Sequence, residues 1–284
     1  MALSSRNAVK LRLMLSLETF LSQFKEQTIS ISVYDLETEK EININSDVIM
    51  HPASTMKVPV MIEVFHQAYA GIFSLDDRIE IYNSFQSIVD GSEFHLDIVD
   101  DSEKTLYARI GEKETIRELN RLMITWSSNL ATNILMDKVS PKAIDDFIKG
   151  MGIKDVNVMR LIEDVKAYRL NMNNTFSTRG TTQMMKLIAE GKVISKEVSD
   201  QMIEVMLNQV FNESIPALLP KDVQVAHKTG WTGKFYHDTG IVFPPNRKPY
   251  AITLFTNGFP DDDESQAHNC MAEISRLIYF HLTN

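Results

Sequence analysis

The chain has 284 residues, 44% of them hydrophobic and 24% charged, a balance that excludes the disordered, collagenous and membrane classes. Its 29 Lys+Arg against 38 Asp+Glu leave a formal net charge of -9, which argues against a nucleic acid as the main partner. Cys270 is the single cysteine, so an intramolecular disulfide and a cysteine-rich zinc site are both excluded.

At this length the chain forms one large domain or two interleaved subdomains, held by core burial. The most apolar runs, Leu11–Leu17 and Val58–Val64, are far shorter than the roughly 20 residues of a membrane span. Val9, Leu13, Leu17, Phe20 and Leu21 recur at helical spacing and predict an amphipathic first helix. Arg12 and Glu18 interrupt the run and no small-residue cleavage pattern follows, so no secretory leader is visible. Thr28–Tyr34 alternates polar and apolar residues as a strand does, and Glu41–Asn45 repeats the pattern, predicting a hairpin. A helix is expected from near Ser54 toward Ala70, with Pro59 in its first two turns, close to where proline costs least. Residues 71–114 are polar, and Asp97–Glu103 reads as a solvated loop.

From about 115 to 209 the period is helical. Ile116, Leu119 and Leu122 make one stripe and Leu130, Ile134 and Leu135 another. Ser140-Pro141 has the form of an N-cap followed by proline at the first helical position. Arg160–Thr175 is irregular and rich in Asn, and helices follow from Ser177 to about Glu190 and from Ser195 to Leu207. Gln224–Lys228, Gly240–Phe243 and Tyr250–Phe255 then read as strands, and Glu264–His281 as a last helix. Strands at both chain ends around a helical middle imply a sheet assembled from the two termini.

Three short elements could carry chemistry. In Ser54-Thr-Met-Lys57 a hydroxyl and an amine lie one helical turn apart, so the amine can take the hydroxyl's proton once it is neutral. Alone this is weak, because Ser22-Gln-Phe-Lys25 has the same spacing on what reads as an ordinary helix surface. Ser127-Ser128-Asn129 precedes an apolar stripe and would serve equally as a helix N-cap. Lys228-Thr229-Gly230 would serve equally as a strand end entering a turn.

In this order the three elements form the motif set of serine β-lactamases and penicillin-binding proteins. Arg117–Leu135 and Ser177–Met185 extend the likeness, and the chain resembles the class A β-lactamase family along nearly its whole length. The resemblance implies an α/β fold: an antiparallel sheet flanked by the N- and C-terminal helices, plus an all-helical subdomain. Residues 1–57 and 210–284 would form the α/β part and 58–209 the helical part, with the active site between them.

The resemblance implies a serine acyl enzyme that opens β-lactam rings. Ser54 would be the nucleophile, Lys57 its base, and Ser127 the donor of a proton to the leaving nitrogen. The N–H groups of Ser54 and Trp231 would form the oxyanion hole. Lys228 and Thr229 would meet the substrate carboxylate, Asn129 its side-chain amide, and Asn133 would be structural. Glu163 falls where the family's omega-loop glutamate activates water, with Asp164 as the competing carboxylate. The partner would be a small-molecule β-lactam, with no cofactor and no metal, and the chain would act as a monomer. Family members usually act outside the cytoplasm, so the resemblance implies a periplasmic or secreted protein.

Several positions depart from the family pattern. Ser128 stands where Asp is usual, and Ala167 where an asparagine usually holds the water, although a gap could shift that role to Asn171. Trp231 replaces a small or polar residue, and His237 stands near the place of a carboxylate-binding arginine, or is simply an exposed strand residue. The wall formed by residues 83–104 is longer than usual. Competing readings are a slowly deacylating penicillin-binding or D-Ala peptidase-like enzyme, an esterase, and a non-catalytic β-lactam-sensing or interaction module.

Overall fold

A computed structural model describes residues 5–261 and 263–283, and side chains from Leu13 onward; residues 1–4 and the side chain of Val9 lie outside the described residues. In chain order come α1 (Ser5–Leu21), β1 (Thr28–Asp35), β2 (Lys40–Ile44) and a 3-10 turn at Ala53–Met56 that leads into α2 (Lys57–Tyr69). Short strands β3 (Arg78–Glu80), β4 (Phe85–Gln86), β5 (Glu93–Phe94) and β6 (Lys113–Thr115) follow. The helical middle comprises α3 (Ile116–Thr125), α4 (Asn129–Val139) and α5 (Pro141–Gly150). After β7 (Val156–Asn157) come α6 (Val165–Arg169), β8 (Thr175–Phe176), α7 (Thr178–Ala189) and α8 (Lys196–Leu207). The chain closes with β9 (Gln224–Thr232), β10 (Phe235–Phe243), β11 (Tyr250–Asn257) and α9 (Glu264–Thr283).

The main sheet is antiparallel with strand order β2-β1-β11-β10-β9, so both chain ends build it, as expected. Its two faces are written in alternate residues. Tyr250, Ile252 and Leu254 of β11 join Leu17 of α1 and Ile274 of α9 in one core. Ala251 and Phe255 turn the other way, into the core shared with the helical middle. The predicted cap at Ser140 is made, and the residues at the expected helix starts, Ser177 and Ser195, cap as well. Ser140 Oγ accepts the Ala143 N–H at 3.1 Å, Ser177 Oγ that of Gly180 at 3.0 Å, and Ser195 Oγ that of Val198 at 3.2 Å. Among the described residues no helix is long and apolar enough to cross a membrane.

The 71–114 region departs from its polar reading. It contributes Ile81, Phe85, Leu96 and Leu106 to the core. Asp101 and Glu103 are buried, so Asp97–Glu103 is not a solvated loop throughout. Burial of Glu103 is offset by the N–H groups of Thr105 and Leu106 that it receives, and that of Asp101 by donors from several segments.

Candidate active site

The Ser54–Lys57 element spans the 3-10 turn and the first residue of α2. Ala53, just before Ser54, is held at φ 46°, a conformation that costs energy for any residue with a Cβ. The turn is locked from the sheet side by Gly230. A Cβ there would lie 2.8 Å from Ser54 N and 2.9 Å from Thr55 N, so only glycine lets β9 approach this closely. That approach puts the Ser54 backbone N–H beside the residue before Trp231.

Lys57 is fully buried. Its Nζ donates to Ser127 O at 2.6 Å and to Asn129 Oδ1 at 2.8 Å, and lies 3.2 Å from Ser127 Oγ. Burial lowers its pKa to about 7, opposed by the charges of Asp101 and Glu163. A neutral amine has two N–H bonds and one lone pair. The two firm acceptors use the N–H bonds and leave the lone pair for a proton from a hydroxyl.

Ser127 sits between two amines. Lys228 Nζ is 3.1 Å from its Oγ and donates to Thr229 O at 2.7 Å. Burial holds the Lys228 pKa well below its ordinary value, and the neighbouring Lys57 adds to this. Ser127 takes φ 57°, so the backbone turns sharply there before α4 begins. Ser128 caps α4, accepting the Ala131 N–H at 3.1 Å. The cap at Ser128 and the lysine contacts of Ser127 therefore fall on adjacent residues.

Glu163 also has a positive φ, 60°. Its Oε1 accepts from Asn129 Nδ2 at 2.8 Å, and burial with the nearby Asp100 and Asp101 raises its pKa. Asn133 fixes the loop just before it, through Asn133 Nδ2 to Ile162 O and Ile162 N to Asn133 Oδ1, both 3.0 Å. Asp164 points elsewhere. It is buried and caps α6 through the Ala167 N–H, and it receives Ser87 Oγ at 2.9 Å and the Ile88 N–H at 3.0 Å. This joins the loop to the 83–104 wall, a role no local pattern announced. Ala167 is buried and carries only a methyl group. Asn171 is exposed and accepts from Asn173 Nδ2, so it does not supply the missing amide.

His237 requires a correction on both of its sequence readings. It is neither an exposed strand residue nor free to meet a carboxylate. The ring is 1% exposed, stacks on Phe255 at 4.2 Å, and has its nitrogens 2.7 Å from Tyr236 O and 2.9 Å from His51 O. Burial lowers its pKa to about 4, so it carries no charge near neutrality. Position in β10 decided this, since that strand is covered on both faces. Lys228-Thr229-Gly230 is likewise not a strand end, because β9 continues to Thr232 and pairs with β10 throughout. Trp231 is 57% exposed on that strand, its ring 6.3 Å from that of Tyr236, its cross-strand partner. The structure thus gathers Lys57, Ser127, Asn129, Glu163 and Lys228 into one network, places the Ser54 backbone nitrogen against Gly230, and leaves His237 out.

The profile of the Beta-lactamase enzyme family matches residues 12–282. Beta-lactamase BRO-1 of Moraxella catarrhalis is 28% identical over 173 residues, 58% of this chain and 55% of that protein. The chain thus spans little more than half of that relative. Extended-spectrum beta-lactamase PER-1 of Pseudomonas aeruginosa is 22% identical over 275 residues, 90% of this chain and 82% of that protein. Among solved structures, a PBP-A mutant in acyl-enzyme complex with penicillin G shares the fold. Its TM-score is 0.83 at 23% identity, covering 96% of this chain and 97% of that one. Motifs, sheet order and family profile agree: the chain belongs to the beta-lactamase enzyme family, in its class A group.

Proposed function

We propose that the protein hydrolyses β-lactams through an acyl-enzyme on Ser54. Ser54 Oγ attacks the lactam carbonyl and gives its proton to the Lys57 amine, while the Ser54 and Trp231 N–H groups stabilise the oxyanion. The C–N bond then breaks, and the proton passes through Ser127 Oγ to the leaving nitrogen. Lys228 and Thr229 hold the substrate carboxylate, and Asn129 the side-chain amide. In the second half-reaction a water loses its proton to Glu163 and attacks the ester carbon, and Ser54 Oγ regains its proton as the bond breaks.

The observation that carries this reading is Lys57: an amine one turn from Ser54, pushed toward neutrality, with both N–H bonds engaged. A chromogenic cephalosporin assay combined with intact mass tests it. Turnover, with a transient mass increase at Ser54, is expected. The absence of both colour change and adduct would overturn the reading.

A second reading, a penicillin-binding enzyme that releases its acyl group slowly, is favoured by Ala167. Glu163 supplies a base, but a methyl group cannot help fix the water. A misplaced water costs about 10²-fold, or roughly 2.7 kcal/mol of barrier. A long-lived adduct without steady colour change selects this reading.

A further inference from the structure

The N-terminus of α4 is capped from two places. Ser128 satisfies the third N–H of the helix, at Ala131. The first two, at Asn129 and Leu130, both donate to Oδ2 of Asp101, at 2.9 Å each. The same oxygen receives Tyr107 OH at 3.1 Å and lies 3.5 Å from Ser128 Oγ. Asp101 Oδ1 is held by the Glu103 N–H at 3.0 Å. The side chain is buried, so this carboxylate is a built part of the helix start rather than a surface charge. It comes from 27 residues upstream of Ser128.

We infer that Asp101 is a positioning residue of the acylation machinery, setting the backbone of Asn129 and thereby the polar frame around Lys57. This rests on the acyl-enzyme reading above. The physical chain is short. Unpaired N–H groups at a buried helix start are costly, and a carboxylate is their strongest acceptor. Holding the Asn129 and Leu130 amides fixes the direction in which α4 leaves the sharp turn at Ser127. The Asn129 side chain then reaches Lys57 on one side and Glu163 on the other, 2.8 Å in each case. The carboxylate thus supplies, from a different loop, an acid beside Ser128, whose own side chain carries none. Its charge also bears on Lys57, whose pKa it raises; Glu163 raises it too, while Lys228 lies across Ser127.

The test is the acylation rate with a fluorescent penicillin, measured against pH for wild type, Asp101→Asn and Asp101→Asn/Ser128→Asp. Asp101→Asn should slow acylation about 10- to 100-fold, as expected when catalytic groups lose their alignment. Its acidic limb should move to lower pH, because Lys57 loses a nearby anion. Purely structural damage would lower the rate without moving that limb. Returning a carboxylate at position 128 should restore at least a third of the wild-type rate. Asp101→Asn with wild-type rate and profile overturns the inference, as does a loss that only tracks the unfolded fraction in thermal melts. If the single variant does not fold, the pair decides: one that stays unfolded, or folds without acylating, overturns the inference. If wild type takes no label, the acyl-enzyme reading is what fails. Amide hydrogen exchange then decides this inference, which requires faster exchange at Asn129 and Leu130 in Asp101→Asn and is overturned by unchanged exchange.

Discussion

The Asn129 side chain spans the site between Lys57 and Glu163, accepting from one through Oδ1 and donating to the other through Nδ2. One amide thereby holds the base proposed for each half-reaction. Asn129→Ala should slow both acylation and release, each by about 10-fold or more, since neither group keeps its partner. Single-turnover labelling and the decay of purified adduct read the two steps apart. Loss confined to one step would remove the bridge from the mechanism.

The nucleophile is testable by mass alone. Ser54→Ala should abolish covalent labelling, whereas Ser22→Ala should leave it intact, because Ser22 lies just past the end of α1 and donates to Thr19 O. Labelling that survives Ser54→Ala would refute the assignment.

Acylation should depend on pH through Lys57. In the proposed mechanism the neutral amine is the base, and its fraction grows as pH rises through about 7, where burial has brought its pKa. The acylation rate should therefore fall about tenfold per unit below that point and level off above it. A flat profile between pH 5 and 8 would remove Lys57 from this role.

Gly230 should tolerate no substitution. A methyl group would press within 3 Å of two backbone nitrogens of the nucleophile turn. Gly230→Ala should displace the Ser54 N–H and cost about 10²- to 10³-fold in acylation, the range seen for loss of one oxyanion donor. Wild-type labelling kinetics in this variant would contradict the oxyanion geometry.

Glu163→Gln should keep acylation and lose most of the release, so the adduct accumulates in the mass spectrum. Asp164→Asn acts differently, because Asp164 ties α6 to the 83–104 wall. It should lower stability by about 1–3 kcal/mol, and the melting temperature shows this directly. Normal turnover in Glu163→Gln would reassign the water-activating base.

His237 makes a prediction about stability rather than binding. Its folded pKa of about 4 lies below the ordinary 6.5, so the unfolded chain binds more protons between these values. Stability is then full above about pH 6.5 and falls as pH drops toward 4, by about 3 kcal/mol for this ring. His51, also lowered to about 4, acts in the same direction. Melts at pH 7, 5.5 and 4.5 should give a shallower acid slope for His237→Asn than for wild type. Equal slopes would show that the ring does not titrate as its burial implies.

The element order, the cap at Ser140, the helix starts at Ser177 and Ser195 and the three motifs were legible because each depends on neighbours within a few residues. Periodicity and cap chemistry are local, and so is the turn-length spacing of Ser54 and Lys57. The positions of Asp101, Asp164 and His237 were not legible, because burial depends on what covers a residue from elsewhere in the chain. Asp97–Glu103 is polar in composition, yet Asp101 meets the start of α4 and is desolvated there. His237 falls on a strand flanked by β9 and β11 and stacked on Phe255, so a side chain that could bind an anion in water is neutral inside. The sequence by itself determined which groups could do chemistry. Tertiary structure decided which of them face one another, because long-range packing sets both the distances between these groups and the solvation that tunes their charge.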